Sequence, residues 1–176
     1  MKFLQSFQLR FLLLISGLLA AVVICLSWYS VYSMTDLSST VYQNQARIAL
    51  NKALRVIDGD AFERYAKNLD PKDRNYVDDC DKLLQIKEET LCTYLYTMVL
   101  VDKNKGIFIT DGSDAPGGEN FSALGDEEDI STYGKELFEA FEKEKIITSD
   151  LTFQKGWGWT VSAYAPVKTR AGKTVG

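Results

Sequence analysis

The hydrophobic pattern opens with an unbroken run. Residues 11–32, FLLLISGLLAAVVICLSWYSVY, carry no charged side chain and follow Lys2 and Arg10. As a helix rising about 1.5 Å per residue, the run is about 33 Å long, enough for the roughly 30 Å hydrocarbon core of a bilayer. Trp28, Tyr29 and Tyr32 fall near its far end, where amphipathic rings favour the headgroup layer. A cleavable signal has a shorter apolar core and a small-x-small site. The residues here are bulky, and Ile24 stands where a lipoprotein site at Cys25 would need a small residue. The pattern predicts a membrane-spanning helix over 11–33. Lys2 and Arg10 hold residues 1–10 on the cytoplasmic side of the plasma membrane, with the remainder extracytoplasmic.

Helical spacing continues beyond the run. From Thr35 to Ile57 there is no Pro or Gly, and Ala46, Leu50, Ala53, Leu54 and Ile57 recur three and four apart. This predicts a long membrane-proximal helix over 34–58. Its other face, with Gln43, Asn44 and Asn51, suits either a helix that only covers a sheet or one that pairs with a second copy in a homodimer. Gly59 ends it, and Asp60-Ala61-Phe62-Glu63 reads as a capping box for a short helix ending near Asn68. Asp70-Pro71-Lys72-Asp73 opens a third helix, with Val77, Cys80, Leu84 and Leu91 as its stripe and Leu83 and Ile86 beside them.

At Thr93 the texture changes to β-branched and aromatic residues. Tyr94 to Val101 and Ile107 to Asp111 read as a hairpin around Asp102 to Gly106. Both faces of the first strand are apolar, so each side of the sheet needs a cover. Asp102-x-Asn104 fails as a calcium loop because Gly106 and Ile107 stand where a third oxygen ligand and the turn glycine belong. Residues 112–129 form a long Gly-, Pro- and acid-rich loop suited to a pocket rim. Its run Asp126-Glu127-Glu128-Asp129 reads as a solvated approach to a helix N-terminus, where negative charge is stabilising. A helix over Tyr133 to Lys143 turns Leu137, Phe138 and Phe141 inward. Three strand candidates follow, at Asp150 to Gln154, Trp157 to Pro166 and Lys173 to Val175. The last is short beside its neighbour and leaves a long unpaired edge, so the domain is expected to continue past Gly176. The expected class is α+β, with an antiparallel sheet of about five strands in a domain over 59–176.

Composition narrows the chemistry. The chain has 176 residues and no His, which removes the commonest general base and transition-metal ligand. Excluding Lys2 and Arg10 from the 20 basic residues leaves 18 against 24 acidic, a net charge of −6, which disfavours nucleic acid. Cys80 would lie roughly 13 Å of helical rise before the helix end near Glu89, with Cys92 just past that end, so both are expected as free, buried thiols. No nucleophile, base or metal cluster stands out, so neither catalysis nor a cofactor is expected within these residues.

The order of parts, together with Tyr94-Leu95-Tyr96-Thr97-Met98, Thr110-Asp111-Gly112, Trp159 to Pro166 and Gly172 to Gly176, resembles an extracytoplasmic PAS-like, single Cache sensor domain over residues 36–176. The resemblance implies the sensory part of a receptor such as a chemotaxis receptor, histidine kinase or diguanylate cyclase. It implies that one sheet face packs on the long helix while the other, with its loop, holds a small molecule. By strand alternation that ligand face carries Tyr94, Tyr96, Met98 and Asp111 from the hairpin and Ser162 and Tyr164 from the later strand, with Trp157 and Trp159 at the rim. Asp111 either bonds to nearby turn amides or is aimed at the ligand. With Asp111 near aromatic rings and no Arg among the candidates, an amine or amino acid is the expected ligand. The competing reading is a membrane-anchored module that binds a partner protein.

Overall fold

The structure is a computed structural model that describes the backbone of residues 2–176 and the side chains of 7–34 and 36–176. The chain divides into two compact units, Met1–Thr40 and Val41–Gly176. The helix α1 (Lys2–Val56) is continuous through both.

Within the first unit, the large apolar side chains from Phe7 to Leu37 are exposed, and the helix is long and apolar enough to cross a membrane. The Ser16 hydroxyl donates to the Leu13 carbonyl at 3.0 Å, so this polar group is satisfied inside the helix.

In the second unit three further helices precede and interrupt the strands. Helix α2 (Gly59–Asn68) starts two residues earlier than the capping-box reading places it, because Asp58 rather than Asp60 is the cap and its Oδ1 accepts from the amides of Asp60 and Ala61. Gly59 is thus the first residue of a helix, and it is a close-approach point: a Cβ there would collide with the Lys168 carbonyl. Helix α3 (Arg74–Thr90) is capped by Asp73, while Asp70 caps only the turn before it. Its buried face is Tyr76, Asp79, Cys80, Leu83, Ile86 and Thr90. Val77 and Leu91, expected in that stripe, are exposed.

Small residues set the approach of α1 to α3. Ala49 and Ala53 are buried with Leu83, Ile86 and Leu95, and the Gln45 side chain donates to the Thr90 carbonyl at 2.6 Å, satisfying an end of α3. Phe62, Tyr65, Tyr76, Cys80, Ile109 and Val167 form a second core between α2, α3 and the hairpin.

The sheet is smaller than expected. Strands β1 (Tyr96–Leu100), β2 (Lys105–Asp111) and β3 (Glu127–Asp129) form one three-stranded antiparallel sheet in that order, which corrects the expectation of about five strands. The β1–β2 register shifts between Tyr96 and Met98, where the Thr97 hydroxyl takes the Thr110 amide at 2.9 Å. The acidic run is the edge strand β3, followed by a 3₁₀ turn at Ile130–Thr132 and helix α4 (Lys135–Lys143).

The expected long strand over Trp157–Pro166 is broken. Its start, β6 (Gly158–Thr160), pairs with β5 (Thr152–Gln154), whereas β7 (Ala163–Tyr164) pairs with β4 (Ile147–Thr148). The break is held at Ser162, whose amide donates to Ser149 Oγ while its carbonyl accepts the Ser149 amide. Lys173 to Val175 make no full strand, but Val167 exchanges backbone hydrogen bonds with Val175 and Gly176. Both thiols of this unit are free, but only Cys80 is buried; Cys92, expected to be buried as well, is half-buried.

Candidate functional site

A cleft of about 540 Å³ opens between the 42–50 stretch of α1, the start of the hairpin and the 151–165 segment. Ala46 and Ala49 from α1 form one wall. Tyr94, Tyr96, Met98 and Trp157 form the next, and Ser162 and Tyr164 complete the lining, with Trp159 at the rim. These are the expected ligand-face residues with one exception, but the long helix lines the cleft too, which corrects the expectation that the ligand face and the helix-covered face are opposite sides of the sheet.

The exception is Asp111. Its side chain is 2% exposed and does not line the cleft. Oδ1 accepts the Ser113 amide at 2.6 Å and Oδ2 the Ser122 amide at 2.7 Å, so both oxygens tie down the loop after β2. Of the two roles open to it in the sequence, the structure places it in the turn. Helix α3 comes close here, since a Cβ on the next residue, Gly112, would collide with the backbone of Leu83 and Leu84.

The aromatic wall is built by packing and by one acid. Tyr94 meets Trp157 edge-on at 4.6 Å between ring centroids, and Tyr96 meets Phe108 edge-on at 5.0 Å. Trp157 Nε1 donates to Glu128 Oε1 at 2.9 Å, and the Tyr133 hydroxyl donates to the same oxygen at 3.2 Å. Because Tyr133 has one proton, the 3.2 Å contact between the Tyr96 and Tyr133 hydroxyls runs from Tyr96 to Tyr133. Burial pushes both phenols far above the usual tyrosine value, which keeps them protonated as donors.

Glu128 was missed at the sequence level because it sits in a four-acid run that reads as solvated. Only the pairing of β3 with β2 aims it inward between its exposed neighbours Glu127 and Asp129. Opposite this wall, the Gln154 amide donates to Tyr164 at 3.0 Å and to Ser162 Oγ at 3.4 Å. Gln154 is itself 3% exposed, so the β5–β6 hairpin and β7 are fixed to each other beneath the cleft. Burial raises the Tyr164 phenol as well.

No family model, no curated protein and no solved structure matches this chain. Function therefore has to be argued from the site. The cleft combines aromatic rings held at fixed angles with neutral polar side chains such as Gln45, Thr93, Gln154 and Ser162. Among the described residues no group of three or more Cys, Asp or Glu side chains is placed to hold a metal ion.

Proposed function

We propose that this chain is the ligand-sensing region of a membrane-anchored signal-transduction receptor, with its N-terminus cytoplasmic and residues 41–176 outside. The observation that carries this reading is the position of the cleft: one wall is α1, the same unbroken helix that holds the apolar stretch. A small molecule seated there touches α1 and the 151–165 segment at once. Its binding energy can then favour one arrangement of helix against sheet, by as much as its affinity for the two arrangements differs.

The element order supports a PAS-like, single Cache type of domain, and the three-stranded sheet and divided later strand are departures from that pattern. Activity of the chemotaxis, histidine kinase or cyclase kind would belong to a cytoplasmic partner or segment. Pairing through the 35–57 face of α1 would make the receptor a homodimer.

The test is a thermal-shift screen of the full chain in nanodiscs against neutral, cationic and anionic small molecules. A true ligand at about 100 times its dissociation constant adds about 2.7 kcal/mol. A chain that responds to none of them but is stabilised by a partner protein would be an anchored binding module instead.

A further inference from the structure

The ligand class can be narrowed from what the cleft wall lacks. Among the described residues lining it there is no Asp, Glu, Lys or Arg side chain. The acid that the sequence offered as a counter-ion, Asp111, is outside the cleft with both oxygens occupied by backbone amides. The acid nearest the rings, Glu128, stands behind them. Its Oε1 holds the Trp157 N–H and the Tyr133 hydroxyl, and it contributes nothing to the lining.

A charged group carried into such a site loses its hydration and meets no opposite charge. That loss is several kcal/mol per ion. A ring face returns about 0.5–2 kcal/mol to a cation and nothing comparable to a carboxylate. Zwitterionic amino acids, carboxylates and amines are therefore all disfavoured, whereas a flat apolar molecule gains both area and ring contacts.

The polar groups fit the same occupant. Gln154, Ser162 and Tyr164 present neutral hydrogen-bonding groups that are already bonded to one another. Thr93 and Thr160 add further hydroxyls to the lining, so the polar contacts open to a ligand are hydrogen bonds from neutral groups. Resting on the sensing reading above, we infer that the cleft takes an uncharged aromatic molecule of one or two fused rings.

A matched series on a single ring system tests this: indole, tryptamine and indole-3-acetate, titrated by calorimetry near neutral pH into the full chain in nanodiscs. The expected result is one indole per chain, with both charged derivatives weaker by about tenfold or more. Trp157→Ala should abolish the indole heat. Because that change also opens the packing around Phe108, a second variant is placed at the exposed rim position Thr93. Thr93→Asp should move the preference toward tryptamine and further weaken indole-3-acetate. Tighter binding of tryptamine or of indole-3-acetate than of indole by the unaltered chain would overturn the uncharged class while leaving a ligand cleft in place. Absence of heat from all three would overturn both the class and the sensing reading.

Discussion

The indole nitrogen of Trp157 and the carboxylate of Glu128 are 2.9 Å apart, joining residues 29 positions apart in the chain at the back of the cleft. Tyr133 shares the same oxygen, so one atom orients two rings. Glu128→Ala should destabilise the domain by about 2–3 kcal/mol, because two part-buried donors lose a charged acceptor. Glu128→Gln retains an acceptor and should cost clearly less. Urea unfolding followed by tryptophan fluorescence measures both. Equal losses for Ala and Gln would mean that the charge, rather than the acceptor, holds the wall.

Gly112 has no room for a side chain between the end of β2 and the Leu83–Leu84 backbone. Gly112→Ala should therefore cost about 2–3 kcal/mol by forcing α3 from the sheet, read as a lowered unfolding midpoint. Unchanged stability would mean that the helix and strand are further apart than this.

Thr152 and Thr160 are cross-strand partners in the β5–β6 hairpin, and both hydroxyl oxygens are buried without a hydrogen-bond partner. Replacing both by Val keeps the shape and removes the orphaned groups. The double variant should be more stable by about 1 kcal/mol or more in thermal unfolding, and a loss of stability would count against the burial of these hydroxyls.

Asp79 is 3% exposed, and burial raises its carboxyl above the ordinary value despite the Tyr65 hydroxyl at 2.9 Å and the nearby Lys82. A raised folded pKa gives a contribution that is full below about pH 4 and is lost as pH rises through the folded value. Asp79→Asn keeps an acceptor for Tyr65 and should flatten that decline in denaturation midpoints measured upward from pH 4. A variant profile parallel to the original would refute the assignment.

Glu63 has the opposite sign. Hydrogen bonds from Lys173 and then Lys67 hold its carboxyl down to about 2. Its contribution is present above the ordinary glutamate value and disappears as pH falls toward about 2. Lys173→Ala removes the larger cause, so acid unfolding should begin at higher pH, as followed by circular dichroism. Lys67 is the smaller of the two causes, so Lys67→Ala should give a smaller shift.

The helices were legible because their caps and apolar spacing are local. Asp58 and Asp73 displaced the expected starts by only a residue or a few, since several neighbouring acids could each cap. The hairpin was legible because its β-branched and aromatic run is local; Tyr94, Tyr96, Met98, Ser162 and Tyr164 do line the cleft, but so do Leu95, Ala163 and Ala165, because Tyr94 and Ser162 lie outside the strands and alternation does not hold across them. What was not legible depends on distant pairing. Glu127-Glu128-Asp129 has poor strand propensity and becomes β3 only because β2 offers an unpaired edge. The run Trp157–Pro166 looks like one strand, yet two different partners divide it at Ser162. Asp111 was ambiguous because an acid before a glycine satisfies a loop as readily as a ligand, and only the amides of Ser113 and Ser122 decide between them.

The two unlinked thiols of the second unit provide built-in clocks. Cys92 is half-buried in the cleft wall, whereas Cys80 is enclosed between α3 and the hairpin, where burial also disfavours its thiolate. An alkylating reagent meets Cys92 at the rate at which the cleft admits it, and meets Cys80 only when the core opens. A cleft occupant should slow the first reaction directly, and slow the second only by stabilising the whole domain. The ratio of the two labelling rates therefore separates occupancy from global tightening in a single sample, with no engineered cysteine.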